Sequence, residues 1–185
     1  MEIEIIEGHD GSSYFWIKPV RIETTESIKW EDVREYDEEI SIEEGDVECF
    51  LAYFFLKYYD SKLTYNYRRN LEYGDEAENN QFEWYLEHNF YTYETMNKML
   101  DDMKKTAILL RDHYDDTYLN EIKSKFSIFY MVDVDSDEYV EGKNTSKTIE
   151  MHRDVVIDFY NRFIARIKKM MENNPDCDLL SIMGP

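Results

Sequence analysis

Glycine and proline are scarce in this chain, with 6 and 3 among 185 residues, about 5% where roughly 12% is usual. Such scarcity disfavours folds that need many glycine-rich loops, dinucleotide-binding sheets among them. The 2 cysteines, Cys49 and Cys177, are too few for a disulfide framework and favour a reducing, cytoplasmic setting. Long apolar runs are also missing: residues 47–59 are interrupted by Glu48 and Lys57 and are too short to span a bilayer.

Basic residues are the next deficit. Lys and Arg number 21 against 41 Asp and Glu, for a formal charge of −20 and a pI near 4.5. A nucleic-acid binder needs basic surface to displace counterions, and docking on anionic lipid needs it too. We therefore expect neither nucleic acid nor membrane as a partner. The first residues, Met1 to Glu4, lack the basic and apolar regions of a signal peptide, which again predicts a cytoplasmic protein.

Core-forming residues, by contrast, are abundant. The chain is 43% hydrophobic and 16% aromatic, which is too much apolar material for a disordered chain despite the charge. Its length suits one domain with a sizeable core. No internal repeat, low-complexity tract or Pro/Ser-rich linker interrupts it. We predict a single domain over residues 1–185.

Two strands are predicted near the start of the chain. Residues 2–7 alternate isoleucine with glutamate, and residues 13–22 are rich in aromatic and β-branched side chains. Turn residues between them, at 8–11, predict that the two strands form a hairpin. Pro19 predicts that the second strand lies at an edge or ends there.

Three helices are predicted farther on. Residues 46–59 are apolar on nearly every helical face, which indicates a central buried helix, with a buried strand as the competing interpretation. Thr92 is a candidate cap for a helix over residues 94–113, and residues 146–173 carry a second long apolar stripe that ends before Pro175. The predicted fold class is α+β: a small sheet built from the N-terminal hairpin and later strands, covered by two or three helices including a long C-terminal one.

The remaining segments are less regular. Residues 27–44 mix helical and strand spacing and stay open, and residues 60–81 resemble a connection with its tip at 74–80. Residues 82–87 and 126–134 are predicted strands.

A metal site is not predicted. The 4 histidines lie far apart in sequence, at His9, His88, His113 and His152. Asp133, Asp135 and Asp137 match positions 1, 3 and 5 of a calcium loop. Glu138 stands where that loop needs glycine, and Asn144 stands where it needs a bidentate glutamate. We expect no metal and no other cofactor.

No catalytic residue is assigned, because the sequence lacks a nucleophile elbow, a phosphate-binding glycine loop and a zincin motif. Scattered carboxylates and histidines that converge in the fold would still permit a hydrolase. That enzyme class is the first alternative function.

The densest acidic stretch is residues 31–48, where 10 of 18 residues are acidic and Arg34 alone is basic. A surface of one sign steers an oppositely charged partner toward it. The candidate partner-binding residues are Glu38, Glu39, Glu43, Glu44 and Asp46, expected to face solvent as one negative patch. An ordinary solvated surface is the competing interpretation.

These observations predict a non-enzymatic acidic module that binds, and by extension inhibits, a basic protein. Small bacterial immunity proteins and inhibitors that mimic nucleic acid have this kind of composition. A subunit of a larger bacterial assembly, docking through apolar residues at the C-terminus, is the second alternative. Oligomeric state, partner and substrate are left open by the sequence.

Overall fold

An antiparallel sheet organises the part of the chain that the computed structural model describes, which is residues 3–8, 11–23, 28–68, 82–85, 87–112 and 145–185. Its strands there are β1 Ile6–Glu7, β2 Tyr14–Ile22, β3 Val33–Glu35, β4 Ile40–Glu43, β5 His88–Thr92 and β6 Leu179–Met183. Their spatial order is β1-β4-β2-β6-β5, and β3 pairs with the last residues of β2.

Helices occupy most of the other described residues. They are α1 Glu44–Asp46, a π-helix at Val47–Leu51, α2 Ala52–Tyr58, α3 Ser61–Arg68, α4 Tyr93–Asp112 and α5 Thr145–Asn173. A short 3₁₀ turn at Trp30–Asp32 precedes β3. The predicted α+β class, with a small sheet and a long C-terminal helix, is confirmed.

The two long predicted helices are confirmed nearly to the residue. Thr92 caps α4, since its hydroxyl accepts a hydrogen bond from the Thr95 N–H at 3.1 Å. The inner face of α4 includes six buried apolar residues: Met96, Met99, Leu100, Met103, Ala107 and Leu110. In α5 the side chains of Phe159 and Phe163 are fully buried as well.

Residues 44–58 are helical, so the helical interpretation of 46–59 is correct and the strand is not. Five of these residues, Val47–Leu51, form a π-helix rather than an α-helix. A widened turn disturbs the regular ladder of backbone hydrogen bonds. In the π-helix, the Phe50 carbonyl accepts a hydrogen bond from the buried Tyr160 hydroxyl of α5 at 2.8 Å. In α2, the Phe55 carbonyl accepts one from the Tyr91 hydroxyl of β5, also at 2.8 Å.

The sheet separates two cores. Side chains at alternate positions, such as Ile17 of β2 and Ile182 of β6, join the inner faces of α4 and α5 in the larger core. Side chains on the other face, such as Val20 and Phe90, form a smaller core with Tyr67 of α3. Polar residues of the same face, His88 among them, adjoin this smaller core.

The predicted N-terminal hairpin is wrong. β1 covers Ile6–Glu7, and it pairs with β4, which lies between β1 and β2. The alternation of residues 2–7 correctly predicts that Ile3 is buried. An alternating hydrophobic pattern does not, however, determine which strand a segment pairs with.

Pro19 does not mark an edge, because β2 is paired on both sides. β2 pairs with β4 through Tyr14–Ile17 and with β3 through Val20–Ile22, so Pro19 lies where the partner changes. Its carbonyl accepts from the Tyr36 N–H on that side at 3.2 Å. The missing N–H of proline faces the same gap and leaves no ladder bond broken.

Three further predictions need correction. The connection predicted for residues 60–81 contains α3. Residues 82–85 and 87 are not in a strand, and the strand begins at His88. The Asn89 side chain instead holds Glu83 by two hydrogen bonds: its Oδ1 accepts from the Glu83 N–H at 2.8 Å, and its Nδ2 donates to the Glu83 carbonyl at 2.7 Å. The apolar C-terminal residues form β6, an interior strand between β2 and β5, and are not an exposed docking segment.

Several predictions lie outside the described residues: the tip at 74–80, the strand at 126–134 and the acidic turn at 133–137. No helix in the described ranges combines the length and the apolar character that crossing a membrane requires.

Candidate functional site

The structure divides the predicted acidic patch into two groups. Glu38 and Glu39 are half-buried and bound internally. The Asn174 amide donates to Glu38 at 2.8 Å, and Lys18 of β2 pairs with Glu39 at 2.8 Å. Their charge is used within the fold, so these two residues are poorly placed to meet a partner.

The other three predicted residues, Glu43, Glu44 and Asp46, lie with Glu48 where β4 passes into the helical stretch. We call these four residues the acid cluster. Glu43 is exposed and the rest are half-buried. Among the described residues, none of the four has a basic nitrogen within 4 Å of its carboxylate.

Burial and neighbouring negative charge both raise pKa values within the acid cluster. Burial, followed by the charge of Glu43, raises the pKa of the Asp46 carboxyl to about 6. Burial and the charge of Glu44 likewise raise the pKa of Glu48. The neighbouring Cys49 thiol has its pKa raised to about 11 by burial and then by Asp46 and Glu48, which makes it a poor nucleophile. The acid cluster is therefore a place where negative charge is held at a cost in free energy.

A second polar group lies on the second face of the sheet, and the sequence did not predict it. Lys18 bonds Glu35 of β3 at 3.1 Å as well as Glu39. Burial lowers the pKa of the Lys18 ammonium, but the two carboxylates outweigh burial and leave that pKa above its ordinary value. The ammonium therefore remains charged and joins β2 to the segments on either side of residues 36–38.

His88 of β5 continues this group. Its Nδ1 lies 2.6 Å from the Ser181 hydroxyl of β6, and its Nε2 lies 3.4 Å from a Glu35 oxygen. His88 and Ser181 are each 1% exposed. Burial lowers the pKa of His88 to about 4, although Glu35 opposes that shift. The imidazole is therefore neutral at pH 7.

His88 contacts Ser181 on one side and Glu35 on the other, an arrangement that resembles the serine–histidine–acid triad of a hydrolase. A nucleophile must reach its substrate, however, and the Ser181 side chain is covered. The rings of Tyr67 and Phe90 pack on His88, with centroids 5.7 and 5.5 Å away. The group is better explained as a polar network that joins four strands around the buried His88 and Ser181.

In the portion of the chain that is described, no three His, Cys, Asp or Glu side chains converge as a metal site would require. The expectation of no metal stays a prediction, since the residues at 133–137 lie outside that portion.

Comparison with known proteins adds no family: no family model, curated protein or solved structure matches the chain. The acid cluster and the network around His88 are thus interpreted from their own geometry. Sequence reasoning found three of the four members of the acid cluster. It missed the network because Lys18, Glu35, His88 and Ser181 come from four strands and share no spacing pattern.

Proposed function

We propose that the protein is a non-enzymatic module that binds a basic protein through the acid cluster. One observation carries the proposal: four carboxylates lie together with no basic neighbour within 4 Å in the described residues, while Glu38 and Glu39 of the same segment are bound internally. A cation supplied by a partner would offset the burial and the neighbouring Glu43 charge, which together raise the pKa of Asp46. Binding would thus lower the free-energy cost of holding the ionised carboxylates of the acid cluster together.

The net charge of the chain supports the same function. At −20 the whole molecule attracts cationic partners over a distance of the order of the Debye length, about 8 Å at physiological ionic strength. This attraction speeds association more than it strengthens the final complex. The acid cluster would then supply the local contacts that orient the partner. An inhibitory or immunity-type role is the extension of this proposal for a partner that is itself harmful.

A cationic probe locates the binding surface. Decalysine titrated into ¹⁵N-labelled protein at low salt should shift the amide resonances of residues 43–48 more than those of other acidic surfaces. Equal shifts around exposed acidic residues of α4 and α5, such as Asp101 and Asp154, would show that the acid cluster is ordinary solvated surface.

Charge reversal then tests function with a partner recovered from native cells. Replacing Glu43→Lys together with Glu44→Lys should slow association at least about tenfold at low salt, and the difference should shrink as salt rises. The matched control is Asp101→Lys with Asp154→Lys, two exposed positions on α4 and α5 that change the net charge equally. Equal slowing by both pairs would leave only a general charge effect and contradict the proposal.

A further inference from the structure

A groove of about 330 Å³ lies between the N-terminal residues and α5. Its lining shares no residue with the acid cluster and is mainly basic and apolar. It is lined by Ile5, Glu7, Arg162, Ala165, Arg166 and Lys169. The lining residues of α5 are spaced three and four apart, so they share one side of the helix. One wall of the groove is therefore a row of cationic side chains around a single small residue.

This row is unusual for so acidic a chain. Residues 162–172 contain four basic residues and one acidic residue. Their local charge of +3 contrasts with −20 for the whole protein. Asp158 and Glu7 offset two of the three cationic charges that line the groove, and the net positive charge that remains suits an anionic ligand.

The two arginines of the groove are held in place by the protein. Arg162 donates from Nη2 to the Ile3 carbonyl at 2.8 Å and from Nε to Asp158 at 2.6 Å. Arg166 pairs with Glu7 at 2.6 Å, and its side chain is only 22% exposed. Ordering a long side chain before a ligand arrives reduces the entropy that binding must overcome.

Lys169 differs from the arginines. Its side chain is exposed, and across the described residues no carboxylate lies within 4 Å of its ammonium. It therefore offers a positive charge that no described carboxylate balances. Ile5 and Ala165 beside it provide an apolar floor, extended by the aliphatic stems of the arginines.

We propose that this groove binds a small organic monoanion, a carboxylate attached to an apolar body. The carboxylate would pair with Lys169 and take remaining N–H donors of the arginines, while the apolar body lies over Ile5 and Ala165. A single negative charge fits best because the Glu7 carboxylate also lines the groove and would repel a second one. The volume is near the lower end of small-molecule sites, which start at roughly 300 Å³.

Sodium octanoate is the probe for this site, followed by calorimetry and by ¹⁵N NMR. It should bind with a dissociation constant of about 1 mM or tighter and shift the amides of Ile5, Ala165 and Lys169. Acetate has the charge without the apolar body, and 1-octanol has the body without the charge. Both should bind more weakly than octanoate. Octanol binding as tightly as octanoate, or octanoate shifts elsewhere on the protein, would overturn the proposal.

Adjacent lysines provide a matched pair of variants. Lys169→Gln should weaken octanoate binding about threefold to fivefold, the effect of one exposed ion pair. Lys168→Gln removes the same charge from a residue that does not line the groove and should leave binding unchanged. Equal effects of the two variants would refute a localised site.

A third variant blocks the groove without unfolding the helix. Ala165→Glu places a carboxylate four residues before Lys169, where it forms a favourable pair along α5. The variant should melt at or above the temperature of the parent and lose octanoate binding at least about tenfold. Undiminished binding to this folded variant would contradict the proposed site.

Discussion

Replacing Asp46→Asn should stabilise the protein, and the structure allows the size of the gain to be worked out. Asp46 has a pKa of about 6 in the folded chain, against 3.8 as its ordinary value. The difference corresponds to about 3 kcal/mol of unfavourable free energy when the carboxylate is ionised. Because the side chain is only partly buried, solvent screening reduces this to about 1–2 kcal/mol. Asparagine has nearly the same shape without the charge, and the Asp46 side chain makes no cap hydrogen bond that would be lost.

The sign of the pH dependence follows from linkage. Between the ordinary pKa and about 6 the folded chain holds a proton that the unfolded chain has released, so the Asp46 contribution to stability falls as pH rises. The gain from Asp46→Asn should therefore be complete above pH 6. It should drop to about half at pH 5, and measurements there remain above the pI of 4.5.

Urea unfolding at pH 7.5 and pH 5 measures this gain. The control is Asp101→Asn, which removes one charge from the exposed face of α4 and should change the free energy of unfolding by less than about 0.5 kcal/mol. If Asp46→Asn and Asp101→Asn stabilise equally, the relief is a general effect of net charge and the reasoning about the acid cluster is refuted. A destabilised Asp46→Asn would refute it as well.

Three other predictions test the core and the network. Phe159→Ala should cost about 3–5 kcal/mol of stability, because the ring is 0% exposed; a melting temperature within a degree or two of the parent would contradict the assigned face. Gly184→Ala should lower the melting temperature by several degrees, since its Cβ would lie 1.6 Å from the Trp84 carbonyl oxygen, whereas Gly45→Ala meets nothing within 4 Å and should be nearly neutral. Between pH 7 and pH 5 the parent should lose about 2 kcal/mol more stability than His88→Gln in urea titrations. The reason is that the histidine becomes protonated in the unfolded chain but stays neutral in the folded chain, where its pKa is about 4. Equal losses in the two proteins would place His88 in a less buried environment.

Long helices were predictable from the sequence because their evidence is repeated. In α4 and α5 the apolar residues recur over five or more turns, so each further turn confirms the same buried face. Thr92 at the start of α4 and Pro175 after the end of α5 act through local backbone chemistry. Such features need no knowledge of the rest of the fold.

Strand pairing was not predictable in the same way. β6 has five residues, and its apolar run resembles a tail as much as a strand. Its place between β2 and β5 depends on partners that are at least 87 residues away in sequence. Pro19 was misjudged for the same reason, because the change of partner from β4 to β3 is a property of the assembled sheet.

The candidate site shows the same difference between local and tertiary information. Charge density along residues 31–48 is a local property, so the concentrated negative charge of this segment is evident from the order of its residues. Which of these charges are bound within the fold depends on tertiary contacts, because Lys18 reaches Glu35 and Glu39 across strands, and Asn174 reaches Glu38 from the end of α5. Composition and periodicity act between near neighbours in the chain, whereas the pairing of charges depends on contacts that exist only once the sheet has closed.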